Sequence, residues 1–418
     1  MSEQINIKQF FTPSLSGVSN NLVSKTKGDR VIWGIVVILT LVSLLVVYSS
    51  TGSLAYKYSK STESYLFKQF AFIILGVLVI YFAHRVNYTI YSRVAKLLFI
   101  ISVPLLIYTY FFGTKLNEGS RWIMLPVINM TFQTSDLAKL ALFMYLSRQL
   151  SRRQNVIKDF KKGFLPVIIP VAIICLLIAP ANLSTAMLIA GTSFMLMFIG
   201  RVATKHILLT IGIALLPIMM LLGIAVKYYD KTNHETKDLP AVFSVGRIPT
   251  WIGRIQTFIY SKKEDNNEKM YQSDQAKIAI AKGGWLGKGP GNSEQRNFLP
   301  HSYSDFIYAI IIEEYGLVGA AFMVFIYLLF LYRCIRLYQK CPFAFGAFLA
   351  LALSFTLVIQ AIANMGVAVG AFPNTGVTLP LVSMGGSSFI FTCLSIGIIL
   401  SVARNVEQLE GTKEVISQ

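Results

Sequence analysis

The stretch VIWGIVVILTLVSLLVVYSS, residues 31–50, decides the fold class, because it runs for twenty positions without a charged side chain. An α-helix needs about 20 apolar residues to cross the hydrocarbon core of a bilayer. Of the 418 residues in the chain, 54% are hydrophobic and only 14% are charged, whereas soluble domains average about 25% charged residues. This composition excludes a disordered chain and disfavours an ordinary soluble enzyme. The sequence therefore predicts an all-α integral membrane protein.

Ten apolar runs predict a bundle of about ten transmembrane helices. The runs cover residues 31–50, 66–84, 95–113, 134–150, 163–179, 184–200, 206–226, 306–332, 344–370 and 384–403. The fourth run is the weakest, because Asp136 and Lys139 interrupt it, yet the residues LALFMYL that follow favour a helix.

The distribution of Lys and Arg between the runs predicts the orientation. Basic residues concentrate in the loops after the second, fourth, sixth and eighth runs and are sparse in the others. Because cytoplasmic loops carry the excess of Lys and Arg, both termini are predicted to be cytoplasmic, as tails at 1–30 and 405–418 around a membrane domain at 31–404. Attraction to anionic membrane lipids then explains the net charge of +18, and we expect no nucleic-acid partner.

A connection of about eighty residues, 227–305, separates the seventh and eighth predicted helices and would lie on the outer side of the membrane. Connections this long are usually functional or disordered. Apolar residues at three- and four-residue steps predict a helix over 245–259. Its Arg247 and Arg254, beside a Trp, suit a helix that lies in the membrane interface. A second short helix is predicted over 274–282.

A pair of opposite charges lies at the start of the fourth predicted helix. Asp136 and Lys139 are three residues apart and so share one face of that helix. Two interpretations stay open. The pair either lowers the energetic cost of charges near lipid, or forms an acid and a base that face a polar cavity, since charged residues within membrane spans are functional candidates. Arg121 lies in the outer segment just before this helix.

The stretch before the eighth predicted helix combines glycines with charged residues. Five glycines between 283 and 291, here called the glycine loop, could bring backbone amides close to an anion, and Lys288 lies among them. Asp305 follows at the outer end of the helix, where an acidic residue is most often a partner of the helix dipole. Glu313 and Glu314 lie deeper, and we expect at least one to hydrogen-bond an internal partner.

The stretch NMGVAVGAFPNTGVTLPLVSMGGSSFI, residues 364–390, separates the last two predicted helices with five glycines and two prolines. Irregular backbone at membrane depth has to be buried in protein or face water. The stretch is therefore predicted to line a cavity and to dip back into the bilayer, with a long outer turn as the plainer alternative.

Three blocks in this order resemble the SEDS family (shape, elongation, division and sporulation). The first block is GSRWI at 119–123 with FQTSDLAKLAL at 132–142, and the second is GKGPGNSEQRNFLPHSYSDFIYAIIIEEYGLVGA at 287–320. The third is FPNTGVTLPLVSMGGSSFI at 372–390, whose wording is closer to the division members of the family than to the elongation members. The resemblance extends from about residue 31 to 405.

The resemblance implies a peptidoglycan glycosyltransferase. Such an enzyme polymerises lipid II at the outer face of the bacterial cytoplasmic membrane, at the division septum, with a class B penicillin-binding protein and other divisome proteins as partners. In that family the Asp of the HTDF motif is the essential acidic residue, and it matches Asp305 within the residues Ser-Asp-Phe of this chain.

The sequence departs from the family pattern at several positions. Where the second block of the family has Glu, His and Thr before the essential Asp, this chain has His301, Tyr303 and Ser304, so that only the hydroxyl is kept. Thr375 replaces a lysine of the third block, and a phosphate-binding role of that lysine cannot be carried over. The Glu of the first block is Asp136 here, a shorter carboxylate.

The implied reaction makes two chemical demands. A base has to remove the proton of the acceptor hydroxyl, and we predict that Asp305 is this base. Cations have to neutralise the departing lipid diphosphate. The substrate-binding candidates come from the three blocks and the interfacial helix: Arg121, Lys139, Asp136, Arg247, Arg254, Lys288 and Ser387. A divalent cation at Asp305, Mg²⁺ or Mn²⁺, is left open, although the sequence shows no dedicated ligand cage.

Two rival classes of protein and one rival role fit parts of the sequence. Ten helices with intramembrane charges also suit a transporter that moves lipid II, although such a protein needs a polar route to the inner face, whereas Asp305 and the glycine loop lie on the outer side. A scaffold could recruit division proteins through residues 1–30. Within the family, a role in elongation is the alternative to a role in division.

Overall fold

The computed structural model describes residues 28–51, 62–116, 119–125, 130–229, 240, 248–260, 268–299 and 302–416. Within these ranges the chain forms twelve α-helices, some short 3-10 and π turns, and one three-stranded sheet. The helices are α1 (Arg30–Ser50), α2 (Thr62–Arg85), α3 (Tyr88–Phe112), α4 (Thr134–Arg152), α5 (Leu165–Ile178), α6 (Leu183–Ile199), α7 (Thr204–Lys227), α8 (Ile248–Tyr260), α9 (Glu268–Gly283), α10 (Ile307–Lys340), α11 (Ala344–Ala368) and α12 (Gly386–Ile416). The strands are β1 (Thr114–Leu116), β2 (Gly119–Leu125) and β3 (Met130–Gln133).

Ten of these helices, all except α8 and α9, correspond to the ten apolar runs. Eight of the described helices are long and apolar enough to cross a membrane by length and composition. Of the other two, α6 is shorter and α4 carries the charged pair Asp136 and Lys139. The predicted all-α membrane fold is confirmed. The helices predicted over 245–259 and 274–282 are also present, as α8 and α9.

The sheet was not predicted from the sequence. Its strands run antiparallel in the order β1-β2-β3, and Trp122 pairs with Gln133 across the β2–β3 hairpin. The strands have 3, 7 and 4 residues, and strands this short leave little alternation to read in a sequence. The hairpin leads the chain directly into α4, so it fixes where that helix begins.

Helix α11 lies at the centre of the bundle and α7 at its edge. In the most apolar window of each helix, 83% of the residues of α11 are buried inside the protein, against 11% for α7. Helix α7 packs with α8 in a small separate cluster around Ile224, Ala225 and Ile252. Polar side chains on α11 therefore lie inside the protein, where they need internal hydrogen-bond partners.

The two ends of the described chain lie on one face of the bundle. The backbone amide of Gly28 donates to the Glu407 carboxylate at 2.7 Å, which brings the start of α1 next to α12. At the other end of α1, the Ser302 hydroxyl donates to the carbonyl of Ser50 at 3.1 Å. The segment that carries Asp305 is therefore on the face opposite to residues 28 and 407.

The glycine loop docks on a kink in α10. Gly316 interrupts this helix with φ 67° and ψ −167°. The amides of Lys288 and Gly289 donate to the carbonyls of Glu313 and Glu314, both at 2.9 Å. Those amides satisfy carbonyls that the kink leaves without helical partners. The glycine spacing suggests amides that face an anion, but the amides of Lys288 and Gly289 face these carbonyls instead.

Both buried carboxylates of α10 have internal partners, so that prediction is confirmed. Glu313 accepts hydrogen bonds from the Ser293 hydroxyl at 2.5 Å and from the Glu294 amide at 3.1 Å. Glu314 accepts one from the hydroxyl of Ser49 in α1. The two carboxylates therefore join α10 to the glycine loop and to α1.

Candidate functional site

The irregular residues 369–385 between α11 and α12, here called the re-entrant segment, pass between the helices. Side chains of α11, α10 and α1 donate hydrogen bonds to four of their carbonyls. The donors are Asn364 to Val377 (2.7 Å), Gln360 to Thr378 (3.0 Å), Tyr327 to Pro380 (2.6 Å) and Ser43 to Val382 (2.8 Å). Ser43 precedes the end of α1 by seven residues, which is about 10 Å along a helix. The segment is therefore buried between helices, with these carbonyls satisfied by protein as irregular backbone in a bilayer requires, and its dip into the bilayer stays a prediction.

The turn that carries Asp305 is held against this segment by three successive carbonyls. The carbonyls of residues 303–305 accept hydrogen bonds from the Met384 amide at 3.0 Å, the Ser383 hydroxyl at 2.6 Å and the Asn364 side-chain amide at 2.9 Å, in that order. Since each residue of the turn is bonded, the backbone position of Asp305 is fixed from two directions.

The carboxylate of Asp305 lies beside the backbone of Gly376. Its Oδ2 atom is 3.7 Å from the place where a Cβ on Gly376 would stand, and Gly376 has a φ of +63°. Asp305 itself is half-buried. The Asp305 carboxylate and the backbone of Gly376 are therefore close neighbours, so the turn and the re-entrant segment meet at this carboxylate.

The charged pair of α4 is linked to the re-entrant segment through Gln360 of α11, which donates to the carbonyl of Thr378. The Lys139 ammonium lies 3.2 Å from Asp136 Oδ1 and 3.1 Å from Gln360 Oε1. Asp136 and Lys139 also line a cavity together with Thr392 and Ser395 of α12. Both interpretations of this pair therefore describe part of the arrangement, because the two residues form an ion pair and face a partly polar cavity.

Two basic residues, one in α8 and one in α9, lie beside residues 370–374 near the start of the re-entrant segment. Arg254 of α8 donates to the carbonyl of Asn374 at 3.3 Å. The Cε atom of Lys277 in α9 is 3.1 Å from the place of a Cβ on Gly370. Lys277 was not among the predicted residues, because the sequence contains many basic residues and gives no reason to choose this one.

Of the predicted residues Ser387, Arg121 and Arg247, only Ser387 has a described side chain. The Ser387 hydroxyl accepts a hydrogen bond from the amide of Gln133 at 3.1 Å, which joins α12 to the hairpin. The backbone of Arg121 lies in β2, and its side chain is outside the described part of the structure. Arg247 is also outside the described residues.

Lys288 is paired with carboxylates of the glycine-loop region rather than with the group around Asp305. Its ammonium lies 2.9 Å from Glu294 and 3.6 Å from Glu313. Glu294 is also 2.7 Å from Lys282. Hydrogen bonds and attraction from these two lysines lower the pKa of Glu294 from its usual value of 4.5 to about 2. The cluster therefore favours a structural part for Lys288.

The Glu294 cluster predicts a dependence of stability on pH. The pKa of Glu294 is lower in the folded state than in the unfolded state. Its contribution to the free energy of unfolding is therefore complete above pH 4.5 and is lost as the pH falls toward 2. We expect Glu294→Gln to remove this part of the pH dependence and to change stability little at neutral pH, since exposed pairs contribute little. Thermal unfolding in detergent at several pH values measures this pH dependence in the wild type and in Glu294→Gln. If the melting temperature depends on pH equally in the two proteins, the pH dependence does not come from Glu294.

The described residues do not form a dedicated metal site. No group of three or more His, Cys, Asp or Glu side chains among them is arranged to hold a metal ion. Mg²⁺ is commonly held by one or two carboxylates together with substrate phosphates and water, so a divalent cation at Asp305 stays a prediction.

Comparisons with known proteins agree with the three blocks. A family model described as "Cell cycle protein", covering FtsW, RodA and SpoVE, matches residues 29–408. The probable peptidoglycan glycosyltransferase FtsW of Geobacter sp. (strain M18) is 30% identical over 379 residues, which are 90% of this chain and 96% of that protein. Stage V sporulation protein E of Bacillus subtilis (strain 168) is 29% identical over 387 residues, covering 91% and 98%.

Solved structures share the fold. A structure described as showing "structural coordination of polymerization and crosslinking by a peptidoglycan synthase complex" matches with a TM-score of 0.69 at 23% identity, covering 91% of this chain and 99% of that one. The rod shape determining protein RodA of Thermus thermophilus matches with a TM-score of 0.61 at 22% identity, covering 90% and 97%. Since the family model spans residues 29–408, the chain belongs to the FtsW/RodA/SpoVE family, which is the SEDS family that its three blocks resemble.

Proposed function

We propose that this protein is a peptidoglycan glycosyltransferase that polymerises lipid II at the outer face of the cytoplasmic membrane. One observation carries the proposal furthest. A half-buried carboxylate, Asp305, is fixed by its own backbone against the re-entrant segment, on the face opposite to residues 28 and 407. With both termini cytoplasmic, as the basic loops predict, that face is the outer one, where lipid-linked sugars are polymerised.

Asp305 acts as the general base in this proposal. It takes the proton of the 4-hydroxyl of the acceptor sugar, and that oxygen forms a bond with the anomeric carbon of the lipid-linked donor. The bond between the anomeric carbon and the diphosphate oxygen breaks, and the lipid diphosphate leaves with the electron pair. A positioned base of this kind contributes about 10²–10⁴-fold to a rate, and Asp305 is half-buried, so the residue keeps some exposed surface.

Cations near the re-entrant segment would bind the diphosphate. Arg254 and Lys277 lie near its start, and Lys139 with Asp136 lies beside Gln360. A guanidinium has five N–H donors and matches phosphate oxygens well, so Arg254 is the first candidate among them. Arg121 and Ser387 stay in the proposal because they lie in the family blocks, and Arg247 stays because it belongs to the predicted interfacial helix.

Removing the charge of Arg254 should weaken binding of lipid II. We expect Arg254→Ala to raise KM by about tenfold, the equivalent of one charged hydrogen bond of about 1.5 kcal/mol, with a smaller change in kcat. The measurement is glycan polymerisation at several lipid II concentrations. Lys282→Ala is the matched control, because it removes a positive charge that pairs with Glu294 instead. An unchanged KM in Arg254→Ala would remove this residue from the site.

A class B penicillin-binding protein is the proposed partner, and the division septum the proposed place of action. The partner is supported by the similar fold of a chain in a peptidoglycan synthase complex. The division role rests on relatives named FtsW, although the sporulation relative is only one percentage point less identical. Depletion of the protein in growing cells tests the role. Filaments without septa support division, whereas rounded cells that still divide would contradict it.

A lipid II transporter is the second candidate function. It is favoured by the intramembrane pair Asp136–Lys139, which lines a cavity between α4, α11 and α12. Purified protein and partner in detergent distinguish the two, because detergent leaves no second compartment into which lipid II could be moved. Glycan chains that form there support the enzyme. Failure to form chains, together with transport of lipid II across liposomes, would favour the transporter.

A further inference from the structure

Asn364 bridges two pieces of backbone that meet at the candidate site. Its Nδ2 atom donates to the carbonyl of Asp305 at 2.9 Å and to the carbonyl of Val377 at 2.7 Å. A side-chain amide has two N–H groups, so both bonds can form at once. The side chain lies in the buried centre of α11, with 1% of its surface exposed.

The orientation of this amide follows from its neighbours. If the amide were turned over, its oxygen would face the two carbonyl oxygens of Asp305 and Val377, which cannot donate. The oxygen Oδ1 of Asn364 is buried and has no hydrogen-bond partner within the described part of the chain. An unsatisfied buried acceptor is destabilising, but an apolar side chain would avoid it only by leaving the carbonyls of Asp305 and Val377 without this donor. The two donated hydrogen bonds, to Asp305 and to Val377, therefore account for an amide at this position.

Neighbouring donors hold the re-entrant segment without touching the Asp305 turn. Gln360, one helical turn before Asn364, donates to Thr378 at 3.0 Å, and the hydroxyl of Tyr327 donates to Pro380 at 2.6 Å. Asn364 differs from both because its second N–H reaches the residue that carries the candidate base. It thereby sets the separation between that residue and the segment containing Gly376.

We infer that Asn364 is a positioning residue for Asp305, an inference that rests on the proposed role of Asp305 as the base. It holds the main chain of Asp305 and Val377 at one distance, so that the carboxylate stays beside Gly376, where the acceptor hydroxyl would arrive. Reacting groups have to be placed closely, and a displacement of about 1 Å lowers a rate by about 10²-fold. Loss of the bridge should therefore act on the chemical step more than on binding of lipid II.

The test compares Asn364→Leu and Asn364→Ser with Tyr327→Phe in the full-length protein with its partner. Leucine has the same number of heavy side-chain atoms as asparagine but is larger and has no donor, whereas serine is smaller, keeps one donor and guards against a leucine variant that does not fold. We expect kcat to fall by about 10–100-fold in Asn364→Leu, less in Asn364→Ser, with KM for lipid II changed by less than about threefold.

Tyr327→Phe is the matched control, because it also removes a hydrogen bond to the re-entrant segment but none to Asp305. We expect it to lower the melting temperature and to leave kcat unchanged. An Asn364→Leu protein that folds and keeps the wild-type kcat would overturn the inference, as would equal losses of kcat in Asn364→Leu and Tyr327→Phe. The proposed function fails separately, if Asp305→Asn remains active.

Discussion

Replacing Asp305 with Asn is expected to lower the rate of lipid II polymerisation by about 10²–10⁴-fold, which is the usual contribution of a positioned general base. The amide has nearly the same shape as the carboxylate but cannot accept the proton of the acceptor hydroxyl. The backbone bonds of residues 303–305 do not depend on the side chain, so the variant should fold. Gel analysis of glycan chains made by the purified protein and its partner measures the loss.

A carboxylate elsewhere on the same face provides the control for this experiment. Glu63 is exposed near the start of α2, at the end of the bundle where α1 finishes, and Glu63→Gln removes the same charge without touching the re-entrant segment. We expect this variant to keep wild-type activity. If Asp305→Asn makes glycan chains at the rate of Glu63→Gln, Asp305 is not the base.

Replacing Gly287 with Ala is expected to destabilise the protein by about 2–5 kcal/mol. A Cβ at this position would overlap the carbonyl of Glu314 in α10, and Gly287 has a φ of +78°. The left-handed conformation costs a residue with a side chain about 1–2 kcal/mol, and forcing extra volume into a packed contact costs about 1–3 kcal/mol more. Thermal unfolding of the purified protein in detergent gives the measurement, and a low yield of folded protein is the corresponding result in cells.

Gly284→Ala separates the two contributions to this effect. Gly284 also has a positive φ, +55°, but a Cβ there would meet nothing within 4 Å. We therefore expect only the conformational part of the loss, about 1–2 kcal/mol. Equal destabilisation by Gly284→Ala and Gly287→Ala would show that close packing of the glycine loop on α10 contributes little.

The sequence determined the fold class of this protein and located the ten helices that correspond to its apolar runs. Runs of about 20 apolar residues can satisfy their backbone hydrogen bonds inside a bilayer only as helices or closed barrels, so local composition was sufficient for the eight described helices that are long and apolar enough to cross a membrane. The re-entrant segment was also predictable, because its glycines and prolines interrupt helices at membrane depth. Asp305 was chosen from the family resemblance, since its spacing alone fits an ordinary partner of a helix dipole.

Only the tertiary structure decided which polar groups meet. Asn364 and Asp305 are 59 residues apart in the chain, and Lys139 is 221 residues from Gln360, so their contacts depend on how whole helices pack. The same packing gave the glycine loop its place on the kink at Gly316 and left Lys288 beside Glu294 and Glu313. Hydrophobic periodicity reports which surfaces are buried, but a hydrogen bond needs two groups within about 3 Å, and that distance is set by the folded chain.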